Sequence, residues 1–164
     1  MRIFILGFMG AGKTHWGKIW AEELGVPFLD LDEHIVAQQQ QSIVNIFEQK
    51  GEDAFRQLEA AALRSTLSMD NCVVACGGGT PCFKNNIEWM NQHGQTIFIS
   101  VQPKILYERL RQANSSRPLI QQMNNQSLQA YIEQSLEERM PFYSQAGRLL
   151  EAPLLTAQTI RSII

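Results

Sequence analysis

Short apolar runs alternate along this chain with longer segments in which apolar residues recur every three or four positions. The apolar runs predict strands at Arg2–Leu6, 26–30, Cys72–Ala75 and 96–101, and a last short strand at Arg148–Glu151. The periodic segments predict helices at Lys13–Leu24, 53–68, 85–92, Pro103–Gln112, 127–145 and 156–164, with two short helices inside 32–50. This alternation favours an α/β fold, a three-layer α/β/α sandwich around a central parallel sheet of about five strands.

The segment after the first strand, GFMGAGKT at residues 7–14, fits the phosphate-binding pattern G-x-x-x-x-G-K-[ST]. Its glycines let backbone N–H groups turn inward around phosphate oxygens, and the next helix presents its positive N-terminal end. Lys13 is then placed to reach the β- and γ-phosphates of a nucleoside triphosphate, Thr14 offers a hydroxyl to Mg²⁺, and His15 lies near the α-phosphate. The alternative is a glycine-rich turn that caps an ordinary helix, but the strand before the motif and the amphipathic helix after it favour phosphate binding.

Length and charge narrow the class of protein. A chain of 164 residues suggests one domain, and 14 Lys and Arg against 16 Asp and Glu give a net charge of −2. This balance argues against nucleic acid or an anionic membrane as the partner and favours a small molecule. The sequence carries no apolar stretch long enough to span a bilayer, so we expect a cytoplasmic protein, and we expect it to be a monomer.

Three cysteines, Cys72, Cys76 and Cys82, lack the spacing of a zinc site. We interpret them as reduced thiols packed around a strand, which fits a reducing compartment.

Two further groups of residues lie where predicted strands end. Asp30 and Asp32 follow the second strand, and the glycines at 77–79 follow the third, at the edge where open α/β sheets bind their ligands. The two carboxylates could serve Mg²⁺ and an acceptor hydroxyl, as phosphoryl transfer requires. Asp32 could instead cap the next helix, and the glycines could form a plain tight turn.

The polar segment 113–125 separates two predicted helices and contains Arg117. Loops of this length are commonly functional lids, and in a kinase a mobile lid would exclude water and bring a cation to the phosphates. The alternative is a mobile surface loop with an incidental arginine.

Together these residues resemble the shikimate kinase family. The resemblance runs over essentially the whole chain, through GFMGAGKT, DLDE, GEDAFRQLE, GGG, SRPL and ERMPFY in that order. It implies one P-loop kinase domain over 1–164, with an acceptor-binding helical segment at about 32–62 and a lid at about 113–125. It also implies transfer of the γ-phosphoryl group of ATP to the 3-hydroxyl of shikimate, with Mg²⁺ as cofactor, in the biosynthesis of chorismate and aromatic amino acids.

The resemblance also assigns roles to individual positions. It implies that Lys13, Asp32 and Arg117 are catalytic, and that Asp32 holds and activates the shikimate hydroxyl. ATP is implied to contact Gly10, Ala11, Gly12, Lys13, Thr14, His15, Arg111 and Arg117. Arg111 resembles the arginine that stacks on adenine, with Arg109 as a neighbouring candidate. Shikimate is implied to contact Asp32, Arg56, Gly78 and Arg139, the two arginines holding its carboxylate, and Mg²⁺ to contact Thr14 and, through water, Asp30.

Three positions depart from the family pattern. His15 stands where Ser or Thr is usual, Cys76 stands before GGG where a hydroxyl residue is usual, and 151–154 lacks the usual adenine-contacting turn. Two other functions remain open at this point. One is a different small-molecule kinase, such as a gluconate kinase, and the other is a P-loop binding module that holds ATP without transferring phosphate.

Overall fold

The computed structural model describes residues 1–113 and 123–164. Its centre is a five-stranded sheet in the order β2-β3-β1-β4-β5, and every pair of neighbouring strands is parallel. The strands are β1 (Arg2–Leu6), β2 (Phe28–Asp30), β3 (Cys72–Ala75), β4 (Gln95–Ser100) and β5 (Arg148–Glu151). The predicted central parallel sheet is therefore confirmed.

Helices fill the connections between these parallel strands. They are α1 (Lys13–Leu24), α2 (Leu31–Gln39), α3 (Ile43–Ser65), α4 (Asn86–His93), α5 (Pro103–Gln112), α6 (Asn125–Tyr143) and α7 (Thr159–Ile163). Short 3₁₀ turns lie at Thr66–Ser68, Thr80–Cys82 and Ala152–Leu154. Among the described residues, none of these helices has the length and apolar character needed to cross a membrane.

Alternate side chains of β1 supply two separate cores, one on each face of the sheet. Ile3 and Ile5 pack with buried residues of α1, α5, α6 and α7. Phe4 and Leu6 pack on the opposite face with residues of α2, α3 and α4. All four side chains are fully buried, as expected for the central strand of a sheet covered on both faces. The fold is thus the predicted three-layer α/β/α sandwich.

The second strand is shorter than predicted. It begins at Phe28, because Val26 still donates its N–H to Ala21 O at the end of α1 and Pro27 has no N–H to donate. Gly51, with φ 81° and ψ 171°, bends α3 where the sequence predicted two separate helices. The helical segments therefore follow the predicted pattern, and their boundaries move by a few residues.

The parallel strands direct all their carboxyl ends to one edge of the sheet. The glycine-rich loop 7–12 follows β1, Asp30 ends β2, and the glycines at 77–79 follow β3. Since β3 lies between β2 and β1, these three segments are neighbours in space. This edge carries the candidate site.

Candidate active site

A cavity of about 780 Å³ opens at the carboxyl edge of the sheet. Its lining includes the predicted site residues Gly10, Gly12, Lys13, Thr14, His15, Asp30, Asp32, Arg56, Gly78 and Arg139. The fold therefore brings the phosphate-binding loop, the acidic pair and two arginines to a single cavity. Its volume suits a small ligand together with part of a nucleotide.

The loop after β1 is held in a shape that glycine accommodates best. Gly10 has φ 81°, and Gly12 has φ 94° directly before α1 begins. Lys13 folds back over this loop, and its Nζ donates hydrogen bonds to Gly7 O at 2.8 Å and Phe8 O at 3.0 Å. The ammonium group thus lies at the mouth of the loop, where a phosphate would need a positive charge.

Thr14 and Asp30 link the start of α1 to the end of β2. The Thr14 hydroxyl donates to Asp30 Oδ2 at 2.7 Å, while Asp30 Oδ1 accepts the N–H groups of Asp32 and Glu33. Asp30 is therefore the residue that caps α2, a role that the sequence also allowed for Asp32. A hydroxyl and a carboxylate oxygen side by side offer the hard oxygen ligands that Mg²⁺ prefers.

The metal-binding capacity of this edge is limited. Within 1–113 and 123–164, no group of three or more His, Cys, Asp and Glu side chains is arranged to hold a metal ion. Thr14 and Asp30 fit Mg²⁺ by their chemistry, since this ion commonly takes only one or two protein ligands and completes its shell with water and phosphate oxygens. The site thus fits a nucleotide-bound metal and not a metal held by protein alone.

Asp32 projects toward the glycine turn that follows β3. A Cβ atom placed on Gly77 would lie 2.9 Å from Asp32 Oδ1, so only glycine leaves room for this carboxylate. Burial raises the pKa of Asp32 to about 6, and the nearby charges of Glu59 and Asp30 act in the same direction, while Lys13 and Arg56 oppose them. The Asp32 carboxylate is therefore ionised at neutral pH yet more basic than an exposed aspartate.

Arg56 on α3 is fixed by both ion pairs and aromatic rings. Its Nη1 donates to Glu59 Oε2 at 2.9 Å, and its Nη2 lies 3.2 Å from Glu52 Oε1. The guanidinium carbon lies 4.0 Å from the ring centroid of Phe83. A Cβ on Gly79 would lie only 2.8 Å from Arg56 Nη2, so the guanidinium packs directly against this glycine.

Glu59 and Thr80 extend this cluster. No role was assigned to either residue from the sequence. Glu59 is 1% exposed, and its Oε1 accepts a 2.6 Å hydrogen bond from the hydroxyl of Thr80. The spacing of three residues between Arg56 and Glu59 on one helix could have indicated the ion pair. Nothing in the sequence pattern could have indicated Thr80, because its contact joins segments distant along the chain.

Arg139 on α6 also borders the glycine turn, at Gly78. A Cβ on Gly78 would lie 3.0 Å from Arg139 Nη1, and the guanidinium carbon lies 5.1 Å from the ring centroid of Phe8. One helical turn further on, the Tyr143 hydroxyl donates to Gly78 O at 2.6 Å. Burial raises the pKa of Tyr143, so this hydroxyl stays protonated and pins the turn to α6.

The comparisons with known proteins agree with this geometry. The family model described as shikimate kinase matches residues 9–162. The chain belongs to the shikimate kinase family. A shikimate kinase of Bacteroides thetaiotaomicron is 43% identical over 152 residues, which cover 93% of this chain and 87% of that protein.

Solved shikimate kinase structures share the whole fold. A shikimate kinase structure from Bacteroides thetaiotaomicron has a TM-score of 0.91 and 42% identity, over 99% of this chain and 93% of that chain. The shikimate kinase of Acinetobacter baumannii, solved in complex with shikimate, has a TM-score of 0.86 and 32% identity, over 99% of this chain and 89% of that chain.

The residues that the family resemblance assigned to the nucleotide do not all lie close to the phosphate-binding loop. His15 is exposed and packs edge-on against Trp16, with 5.1 Å between ring centroids. Arg109 donates from Nη1 to Gly10 O at 2.9 Å, whereas Arg111 is exposed and pairs with Glu108 at 3.2 Å. Of the two candidates for a shikimate kinase adenine contact, Arg109 is the one that touches the phosphate-binding loop. Arg117 lies outside the described residues, as does most of the predicted lid.

Cys76, a departure from the shikimate kinase pattern, lines the cavity but is buried. Its Sγ contacts Met90 Sδ at 3.7 Å, and burial raises the pKa of its thiol. The side chain is a neutral member of the core and offers little hydrogen bonding to a ligand.

Proposed function

We propose that this chain is a shikimate kinase that transfers the γ-phosphoryl group of ATP to the 3-hydroxyl of shikimate, giving shikimate 3-phosphate and ADP. This reaction belongs to the biosynthesis of chorismate and the aromatic amino acids. One observation carries the proposal. A single cavity is lined by the phosphate-binding loop, by two arginines and by the carboxylate of Asp32, whose raised pKa makes it a stronger base than an ordinary aspartate.

Arg56 and Arg139 bind the carboxylate of the acceptor. Each lies against a different glycine of the same turn, Arg56 at Gly79 and Arg139 at Gly78, so both guanidinium groups border one small volume. Guanidinium forks pair bidentately with a planar carboxylate, which fixes its orientation as well as its charge. This pair supports a small carboxylic acid as the acceptor.

Asp32 orients the acceptor hydroxyl and receives its proton. A carboxylate with a pKa of about 6 is ionised at pH 7 and is a stronger base than an ordinary aspartate. Asp32 lies beside Gly77, one residue from the glycine that borders Arg139, so the hydroxyl and the carboxylate of one small acceptor can be held at separate points. The acceptor is thereby held at two points.

Lys13 and Thr14 act on the donor. The Lys13 ammonium now bonds to Gly7 O and Phe8 O, and we propose that it turns to the β- and γ-phosphates when ATP enters the loop formed by Gly10, Ala11 and Gly12. Thr14 and Asp30 would hold Mg²⁺, Asp30 through water. Mg²⁺ supplies charge neutralisation on the phosphate oxygens.

Other parts of the proposal rest on the family resemblance. Arg117 and the lid at 113–125 would close over the phosphates, and Arg111 or Arg109 would contact adenine. We propose a monomer, as expected from the sequence. We propose a cytoplasmic location, since the three free thiols suit a reducing compartment.

The decisive experiment measures ADP release by purified protein with ATP and Mg²⁺, with and without shikimate, and with gluconate as a rival acceptor. We expect release that depends on shikimate and not on gluconate. Lys13→Ala should lower kcat by about 10²-fold or more, because the ammonium acts on charge that develops in the transition state. A wild-type protein with no shikimate-dependent release would refute the proposed function.

A further inference from the structure

Thr80 is a fully buried polar residue at the start of the 3₁₀ turn Thr80–Cys82. It does not line the cavity, yet its hydroxyl donates a 2.6 Å hydrogen bond to Glu59 Oε1. A bond from a neutral donor to a buried carboxylate is charge-assisted and strong. The hydroxyl therefore controls one oxygen of a buried carboxylate next to the acceptor site.

The second oxygen of the same carboxylate serves Arg56. Glu59 Oε2 accepts from Arg56 Nη1 at 2.9 Å, and the Glu59 side chain is 1% exposed. Thr80, Glu59 and Arg56 thus form a continuous chain in which the middle residue uses one oxygen for each neighbour. The bond to one oxygen restricts rotation of the Glu59 carboxylate, and so helps to set the direction in which Arg56 is held.

The backbone of Thr80, which carries this hydroxyl, is itself well anchored. Asn86 donates from Nδ2 to Thr80 O at 2.9 Å, and Arg64 donates to Asn86 Oδ1 at 2.8 Å. Thr80 N donates to Gly77 O at 3.1 Å, which closes the turn that also borders Asp32. The donor consequently has a set position relative to the glycine turn.

Arg56 has a competing partner on its exposed side. Glu52, whose side chain is 57% exposed, lies 3.2 Å from Arg56 Nη2 and could draw the guanidinium toward solvent. The buried pair with Glu59 opposes this, since a desolvated and hydrogen-bonded ion pair is more rigid than an exposed one.

We infer that Thr80 is a positioning residue, which acts through Glu59 to hold Arg56 toward the acceptor carboxylate and so sets the affinity for that carboxylate. The inference rests on the proposed function, in which Arg56 binds the carboxylate of shikimate. Thr80 does not contact the acceptor, and its effect is confined to the part of the acceptor that Arg56 binds.

The test combines a change in the enzyme with a change in the substrate. Thr80→Val keeps the shape and removes the hydroxyl, whereas Thr80→Ser keeps the hydroxyl. The acceptors are shikimate and its methyl ester, which lacks the negative charge that Arg56 pairs with. Thr66→Val is the matched control, because Thr66 is also buried but donates its hydroxyl to Leu63 O, away from the cavity.

We expect Thr80→Val to raise the KM for shikimate by about 5- to 100-fold, as for a buried carboxylate that loses a hydrogen-bond donor. The KM for the methyl ester and for ATP should change less than about threefold, and kcat should stay near its wild-type value. Thr80→Ser should restore the KM for shikimate. Partial unfolding would lower the apparent kcat for both acceptors alike and leave each KM unchanged, so it cannot imitate this result.

Two outcomes would overturn the inference. One is a Thr80→Val enzyme with an unchanged KM for shikimate, and the other is an equal rise in KM for shikimate and for its ester. Thr66→Val should match the wild type in every KM, and a shikimate-specific effect there would also count against it. An inactive wild-type enzyme would refute the proposed function instead, so the two failures are distinguishable.

Discussion

The carboxylates of Asp32 and Glu59 approach the same side of Gly77. A Cβ atom at this glycine would lie 2.9 Å from Asp32 Oδ1 and 3.0 Å from Glu59 Oε1. Burial raises the pKa of Asp32 to about 6, and the negative charge of the nearby Glu59 adds to this rise.

This raised pKa predicts an acid limb in the activity profile. The ratio kcat/KM for shikimate should be level above pH 7 and fall about tenfold per pH unit below pH 6, because protonated Asp32 cannot accept the hydroxyl proton. Steady-state rates measured from about pH 5 to pH 8 test this. Asp32→Asn should lower kcat about 10²-fold or more and abolish the limb, and an Asn variant with unchanged kcat would show that Asp32 is not the base.

The same shift predicts that Asp32 destabilises the fold at neutral pH. The folded protein holds the Asp32 proton up to about pH 6, whereas the unfolded chain releases it near pH 3.8, so the free energy of unfolding falls as pH rises between these values. One pKa unit corresponds to about 1.4 kcal/mol, and partial solvent contact reduces the effect. Asp32→Asn should therefore stabilise the protein by on the order of 1–2 kcal/mol at pH 8.

Urea unfolding of the wild type and of Asp32→Asn at about pH 8 and pH 4.5 measures this gain. The difference between the two proteins should shrink at the lower pH, where Asp32 keeps its proton in the folded state. Equal differences at both pH values would mean that the substitution acts through packing and not through the charge.

Much of the fold follows from local sequence features. The alternation of Ile3, Phe4, Ile5 and Leu6 between two cores is typical of a central strand, and the apolar runs located every strand of the sheet. The predicted ends of strands and helices were less accurate where a proline or a capping side chain decides the residue at which the element begins. Pro27 delays β2 to Phe28, and the capping of α2 by Asp30 starts that helix one residue before the predicted segment.

The candidate site was predictable where residues act through a motif. Lys13, Thr14, Asp32, Arg56 and Arg139 all line one cavity, and the roles that the family resemblance gives them stay predictions. Contacts that depend on the packing of distant segments were not predictable. The bond from Thr80 to Glu59 spans 21 residues and the bond from Arg109 to Gly10 spans 99, and neither leaves a periodic signal in the sequence.

The two arginines of α5 form a matched pair for testing the nucleotide site. Arg109 bonds to Gly10 O in the phosphate-binding loop, while Arg111 pairs with Glu108 on the surface of the same helix. Arg109→Ala should raise the KM for ATP by about 5- to 20-fold, because it loses a charged contact to the loop, and Arg111→Ala by less than about threefold. Initial rates at saturating shikimate measure both. A larger effect of Arg111→Ala would support the original assignment of Arg111 to adenine.

Substitution of Arg139 tests binding of the acceptor separately from the chemical step. Its guanidinium borders Gly78 and faces the acceptor carboxylate in the proposed function, at a distance from the hydroxyl that reacts. An ion pair of this kind is similar in the ground state and the transition state, so its loss should raise KM and leave kcat nearly unchanged. Truncation of one member of a desolvated charge pair costs on the order of 2–5 kcal/mol, so Arg139→Ala should raise the KM for shikimate by tens to thousands of fold.

Two further variants make the Arg139 result specific. Arg139→Lys keeps the charge without the planar fork and should fall between the wild type and the alanine variant. Arg148→Ala, which removes an exposed arginine from β5, should leave kcat and the KM for shikimate unchanged. The KM for ATP should stay constant throughout, since the proposed function assigns Arg139 to the acceptor and not to the nucleotide. An Arg139→Ala enzyme with an unchanged KM for shikimate would show that Arg139 does not bind the carboxylate, and Arg56 alone would remain assigned to it.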